Sequence, residues 1–397
     1  MTTLKGRRRF LKTGAGVSLL AGAVPVARSH DASDPMARSA YGARSTYDKS
    51  ERVSDAGSNC SFASDCNTLT PLQDLHGIIT PPPLHFNSAH GAFPPDINPD
   101  EFTLYIHGLV NRPLKFSLAE LKRLPFISRI MHMECEANYP HTHQDTTVQH
   151  THGKVSCSEW TGVPLSVIME ECGVKPDGKW IICEGMDRDR HSKSIPLSSA
   201  MDGILAYGQN GAPLMPHQGF PLRIVIPGAG GFSNVKWLHR IKVTDEPYLT
   251  PSERFSKPFS VKSVITFPSG GQQLQGRGYY TISGMAWSGR GAIKTVDVST
   301  DGGNTWQQAK LEDPVLSKAI SRFSLKWEWD GSETVLKSRA LDDAGNIQPT
   351  PEEVAARIGG TVDEVKRNKV RSPDTQWNMI FPWRVKTDGS VHNDLWT

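Results

Sequence analysis

The chain has 397 residues, 37% hydrophobic and 21% charged, with 44 Lys and Arg against 41 Asp and Glu and a net charge of +3. That is enough chain for two sizeable cores. The near-neutral balance offers no footprint for nucleic acid, and no apolar run reaches the roughly 20 residues of a membrane span.

The N-terminus reads as a targeting segment. Arg7-Arg8-Arg9-Phe10-Leu11-Lys12 precedes a mildly apolar run over 14–26, with small residues at Ala23 and Ala27. A basic region, a short apolar region and small residues make a signal peptide, here of the twin-arginine type, expected over residues 1–28. It implies export of a folded chain to the periplasm. Residues 29–75 are polar and read as an extended arm, in which Cys60 and Cys66 are candidates to close a small loop. Cys157, Cys172 and Cys183 suit buried apolar positions. The chain lacks Cys-x-x-Cys-His, so no covalent c-type haem is expected on it.

Order is expected to resume near Gly77, with Pro81-Pro82-Pro83 as a rigid loop. Strands are expected over 102–106, 129–133 and 180–183. A helix is expected over 117–124, with Ser117 as N-cap and Glu120 at capping-box spacing, and a second over 163–172, closed by Gly173. Short strands and helices without a βαβ repeat indicate an α+β domain ending near Asp245. A Pro-rich connection follows over 246–258. Strand patterns then dominate at 280–286, 293–298, 306–311, 323–329 and 334–339, with a hairpin signal at Asp301-Gly302-Gly303-Asn304. This spacing predicts an immunoglobulin-like sandwich. A charged helix and loop over 351–371 and an extended segment over 377–385 close the chain.

Residues 219–237, GFPLRIVIPGAGGFSNVKW, form the most informative stretch. A short apolar strand runs into a Pro-Gly-Ala-Gly-Gly loop flanked by Arg223 and Lys236. Two cations beside closely approachable backbone suit an anion such as a pyrophosphate; two solvated basic residues at a strand end are the plainer reading. Cys135, in Met133-Glu134-Cys135-Glu136-Ala137-Asn138, is either a soft metal ligand or an inert buried thiol. His132, His141, His143, His150 and His152 lie within about twenty residues. They are candidates for an accessory zinc or copper site, or for local basicity that docks an acidic partner.

Taken together, these segments resemble the sulfite oxidase family of molybdopterin enzymes. The likeness runs over residues 77–394. It is carried by HGIITPPPLHF, GKVSCSEWTGVPL, KSVITFPSGGQ, MAWSGRGAIKTVDVSTDGGNTW and DGSVHND besides the stretches above. It implies a molybdopterin-binding domain over 76–250 and an Ig-like dimerisation domain over 258–397, hence a homodimer. It implies a molybdenum-molybdopterin cofactor with Cys135 as the metal ligand and Asp187 on the pterin. His90 would help cover pterin and phosphate, and Gln218, Arg223, Asn234, Val235 and Lys236 would line the phosphate side.

Four positions depart from the family pattern. Ser88 stands where the family has its sulfite-binding arginine, and Pro140 where it has a second active-site arginine. Gln218 replaces a histidine, with His217 shifted by one, and the active-site tyrosine falls at Phe255. Loss of two guanidinium clamps disfavours free sulfite. The resemblance is closest to the sulfane dehydrogenase branch, which implies a sulfur-carrier protein as substrate and a c-type cytochrome as electron acceptor. Sulfite dehydrogenase, a periplasmic sulfoxide reductase and a cofactor-free scaffold are the alternatives.

Overall fold

A computed structural model describes residues 45, 47–55, 67–88, 94–140, 146–188, 190–248, 257–367 and 376–396. The export signal, Cys60, Cys66, His90, His141, His143 and Phe255 lie outside the described residues. The chain divides into Met1–Lys49 and one compact unit, Ser50–Thr397. Among the described residues no helix is long and apolar enough to cross a membrane.

A two-stranded ribbon comes first, β1 (Val53–Ser54) paired with β2 (Thr68–Leu69). Ten strands follow: β3 (Thr103–Gly108), β4 (Leu114–Ser117), β5 (Ile127–Glu134), β6 (Val155–Pro164), β7 (Trp180–Gly185), β8 (Ser192–Pro196), β9 (Ile204–Gln209), β10 (Ala212–Pro213), β11 (Arg223–Val225) and β12 (Leu238–Thr244). They build two sheets, ordered β10-β9-β6-β5 with β11 also on β9, and β4-β3-β12-β7-β8. β12 runs parallel to β3 and antiparallel to β7, as an α+β fold allows. Alternation drives the burial: in β3, Leu104 and Ile106 are fully buried while Tyr105 is exposed. The stretch between β11 and β12 crosses from one sheet to the other, and that crossing is the Gly-rich loop singled out above.

The C-terminal half is a sandwich of two antiparallel sheets. Its strands are β13 (Lys262–Phe267), β14 (Gly278–Trp287), β15 (Ile293–Ser299), β16 (Gln307–Gln308), β17 (Lys310–Glu312), β18 (Ser321–Trp329), β19 (Thr334–Asp342), β20 (Pro382–Val385) and β21 (Val391–Asn393). The sheets are ordered β13-β14-β18-β17 and β16-β15-β19-β20-β21. Val264, Ile282 and Phe323 of the first meet Val296, Leu336 and Trp383 of the second in one core. That core does not stop at the sandwich. Leu72, Leu75, Leu84, Val148, Val155 and Cys157 belong to the same buried cluster.

Several sequence expectations change here. Leu72 and Leu75, assigned to a polar arm, are buried in that shared core. The helix expected over 163–172 is Leu165–Cys172, because Val163 and Pro164 pair with Leu205 and Ile204 in β6 and β9. Gly173, at φ 65°, ends it as expected. The helix expected over 117–124 keeps its reciprocal Ser117–Glu120 cap but spans only Leu118–Leu121. The strand expected over 306–311 breaks at buried Ala309: β16 pairs with β15, and β17 crosses to β18 in the other sheet. Strand β6 was not anticipated, because it is covered on both faces and shows little alternation.

Trp160, fully buried on β6, is among the largest core side chains and carries Arg223 on its ring face, 4.9 Å from the ring centroid. Trp160→Ala is expected to lower the unfolding free energy of the cofactor-free chain by about 3–5 kcal/mol. Urea titration followed by far-UV circular dichroism measures it.

Candidate functional site

A cavity of about 240 Å³ opens where the ends of β5, β7 and β11 come together. β5 delivers Met133 and Cys135, the turn after β7 delivers Asp187, and β11 delivers Arg223. The crossing loop adds Gly231, Phe232, Asn234 and Lys236, and residues 85–88 supply a further wall.

The crossing loop is built by its small residues and by Asn234. Gly219 sits at φ 103°, and a Cβ there would stand 3.0 Å from the Lys236 Cβ and 3.2 Å from the Arg223 Cβ. Only glycine lets the two cationic segments approach so closely. The Asn234 side chain accepts from Ile226 N at 2.6 Å and donates to Gly230 O at 2.8 Å, which closes the loop on itself. A Cβ on Gly231 would lie 3.5 Å from the Cys135 Cα, so the loop packs directly against the cysteine.

Arg223 is 2% exposed. It donates to Gln218 O at 2.9 Å, Asn234 O at 3.0 Å and the Met133 sulfur at 3.2 Å, and its Nε has no partner. Lys236 donates to His217 O at 3.1 Å, Ser88 O at 3.3 Å and Asn87 Oδ1 at 3.4 Å. Every acceptor is neutral. Burial pulls Arg223 down to about 9. Burial, and then repulsion from Arg223, pulls Lys236 down to about 7, with Asp187 opposing. His85 is buried, donates from Nδ1 to Phe86 O at 2.9 Å, and leaves Nε2 without a partner. Burial brings it down to about 3, so it stays neutral. Two buried cations, hydrogen-bonded only to neutral acceptors and meeting Asp187 only through space, form a site that an anion completes.

The other expected residues fall as follows. Cys135 heads a turn in which Asn138 N donates to Cys135 O at 3.0 Å. Its thiol is free, and burial raises its pKa above the usual thiol range. It is therefore a neutral thiol until a metal displaces the proton. Asp187 is buried, and its Oδ1 accepts from His191 N at 3.0 Å. Gln218 donates to Phe86 O at 3.1 Å. Val235 does not line the cavity; its side chain packs in the core behind the wall. Ser88 faces Cys135, whereas Pro140 is buried away from the cavity. The described histidines of the cluster go separate ways: His132 to Lys318 O, His150 to Thr147, and His152 among Trp377 and Phe381. Among the described residues no group of three or more His, Cys, Asp or Glu is placed to hold a metal ion.

Sequence reasoning missed His85, Trp160 and Arg52. Arg52, beside β1, is close enough to repel a charge on His85. His85 and Trp160 lie within HGIITPPPLHF and GKVSCSEWTGVPL, yet nothing in those segments marks them as site residues; the fold brings them beside Arg223.

The sequence model of the oxidoreductase molybdopterin binding domain matches residues 90–252, and that of the Mo-co oxidoreductase dimerisation domain matches residues 253–371. The chain belongs to the sulfite oxidase family of molybdopterin oxidoreductases. It is 33% identical to mouse mitochondrial sulfite oxidase over 69% of its own length, and 33% identical to Arabidopsis thaliana nitrate reductase [NADH] 1 over 71%. It spans 58% and 37% of those two proteins. Among solved structures it is similar to the sulfane dehydrogenase SoxCD from Paracoccus pantotrophus, at 34% identity and a TM-score of 0.79, covering 96% of this chain and 99% of that one.

The family's cofactor fits this donor set. The unpaired cations and the unpartnered Arg223 Nε suit a phosphate, and a free thiol on the same wall suits a metal that already has sulfur ligands. One consequence is a defined pH response of the cofactor-free protein. Lys236 is lowered from 10.5 to about 7, so between those values the unfolded chain holds a proton that the folded chain lacks. Stability should therefore rise with pH across that window, and Lys236→Met should flatten the slope. Sulfate, an anion of constant charge there, should bind more tightly as pH falls through about 7. Denaturant titrations and calorimetry at a series of pH values check both signs.

Proposed function

We propose that the chain is an exported molybdenum oxidoreductase that oxidises sulfane sulfur held on a carrier protein and passes the electrons to a c-type cytochrome. The observation that carries the substrate choice is the wall around Cys135. Ser88, Glu136, Ala137 and Gly231 stand there, and the cavity's one arginine among the described residues, Arg223, is held by Gln218, Asn234 and Met133. A small dianion such as sulfite is best gripped by bidentate guanidinium forks. An exposed Glu136 and a serine hydroxyl do the opposite, and leave room for a neutral sulfur chain on a protein arm. The similarity to sulfane dehydrogenase SoxCD supports the same reading.

When bound, molybdenum-molybdopterin supplies two-electron redox chemistry, with the added oxygen drawn ultimately from water. The protein's residues do the holding. Cys135 would ligate the metal as a thiolate. Arg223 and Lys236 would bind the cofactor phosphate, with Gln218 and Asn234 fixing the loop that presents them. Asp187 would accept from the amino-substituted pterin ring. His90 is proposed to cover the same group. Neutral His85 would place an acceptor, not a charge, in the wall. The dimerisation domain supports pairing of two chains, and the twin-arginine segment at 7–12 supports export with the cofactor already in place.

The test is cytochrome c reduction by the purified enzyme, comparing carrier protein loaded with thiosulfate against free sulfite. Turnover on the loaded carrier, with sulfite several-fold poorer, is expected. Sulfite turnover as efficient as that of relatives with both arginines would instead assign a sulfite dehydrogenase. Cys135→Ser should abolish reduction with either substrate while circular dichroism stays unchanged. Full activity in that variant rejects the ligand assignment, and absence of molybdenum from protein made in a cofactor-competent host supports a scaffold.

A further inference from the structure

Residues 135–138, the turn that presents Cys135, are held from outside their own domain. The carboxylate of Glu134, immediately before the cysteine, is 1% exposed. Its Oε1 accepts from Asn138 Nδ2 at 2.8 Å and from Lys262 Nζ at 2.7 Å. Its Oε2 accepts from Trp287 Nε1 at 2.6 Å. Lys262 Nζ also reaches Asn138 O at 3.1 Å. Lys262 and Trp287 both come from the C-terminal sandwich, where they sit directly opposite each other on β13 and β14. Lys262 is 3% exposed and lies over the rings of Trp287 and Trp377, at 5.9 and 5.3 Å.

The contacts form a closed circuit around the cysteine. Cys135 N donates to Lys154 O at 2.9 Å, and Lys154 N donates to Asn138 Oδ1 at 2.9 Å. Asn138 is thereby fixed at its side-chain oxygen by Lys154, at its side-chain nitrogen by Glu134, and at its carbonyl by Lys262. A buried, fully satisfied network of this kind imposes one geometry on what it touches, and a half-satisfied one is costly. Packing alone asks for none of it. A methionine at 262 and a phenylalanine at 287 fill similar space without drawing a carboxylate into the interior.

We propose that Lys262 and Trp287 are positioning residues for Cys135, so that the C-terminal domain fixes the geometry of the metal-ligating turn. This rests on Cys135 being the ligand, and the two ideas fail separately. The first readout needs no cofactor: the rate at which iodoacetamide alkylates Cys135 in the cofactor-free full chain, read by peptide mass spectrometry. Cys157, buried on the adjacent strand β6, serves as the internal reference. Lys262→Met and Trp287→Phe should each speed alkylation of Cys135 by about tenfold or more, the scale of one lost charge-assisted hydrogen bond, with Cys157 unchanged. The double variant Glu134→Gln/Lys262→Met removes both charges and should recover the slow rate.

In the loaded enzyme, Trp287→Phe keeps the ion pair and loses only the indole N–H. It should change the molybdenum paramagnetic resonance signature and lower kcat several-fold at an unchanged KM. An unchanged Cys135 rate in both single variants overturns the inference. So does a parallel rise at Cys157, which would mean general loosening, and so does failure of the double variant to recover. An unchanged resonance signature in Cys135→Ser defeats the ligand assignment instead.

Discussion

Arg223 lies against the indole of Trp160, and every atom that accepts from it is neutral. Lys236 comes beside it under the same terms. Burying two like charges with no carboxylate hydrogen-bonded to either costs several kcal/mol unless something of opposite sign completes the set. The surrounding structure serves to hold this unfavourable arrangement open. Gly219 permits the approach, Asn234 ties the crossing loop, and the β9–β11 pairing fixes the Arg223 backbone. A site kept in this state is pre-organised for an anion, because the cost of gathering the cations is met by folding and not by binding.

The same segment decides where the chemistry sits. β11 belongs to one sheet and β12 to the other, so the loop between them is the seam of the N-terminal half. Cys135 reaches the seam from the end of β5, and Asp187 from the end of β7. The cavity thus holds Arg223 and Lys236 beside a Cys135 lined by Ser88, Glu136 and Ala137, and Ser88 meets both, its carbonyl accepting from Lys236.

Much of this was legible in the sequence, for reasons that differ by element. The sandwich strands alternate over half-buried faces, so β14, β15, β18 and β19 emerged close to their true limits. The Ser117–Glu120 capping box and the terminal Gly173 are local chemistry and were readable as such. β6 was hidden because burial on both faces erases its period. The break at Ala309 was hidden because a strand that changes sheets keeps one continuous pattern. Cys135, Asp187, Arg223 and Lys236 were found through their motifs and are brought together on one wall. Val235 belongs to the same motif but faces the core. His85, Trp160 and the Lys262–Glu134 pair lie in segments that carry the family likeness, but nothing local marks their roles. Their importance arises from contacts across 75 to 153 positions of chain, such as Trp287 with Glu134.

The hydrophobic cluster that runs from Leu72 through Val155 to Leu395 has a consequence in time. A protein emerging from the ribosome offers its N-terminal half first, and a self-contained domain would fold and load its cofactor at once. Here Glu134, beneath the cysteine turn, has no complete surroundings until Lys262 of β13 and Trp287 of β14 have been made. The cysteine turn therefore reaches its final form only after the sandwich strands that support it exist. A chain cut before β14 leaves the carboxylate of Glu134 buried and only half satisfied.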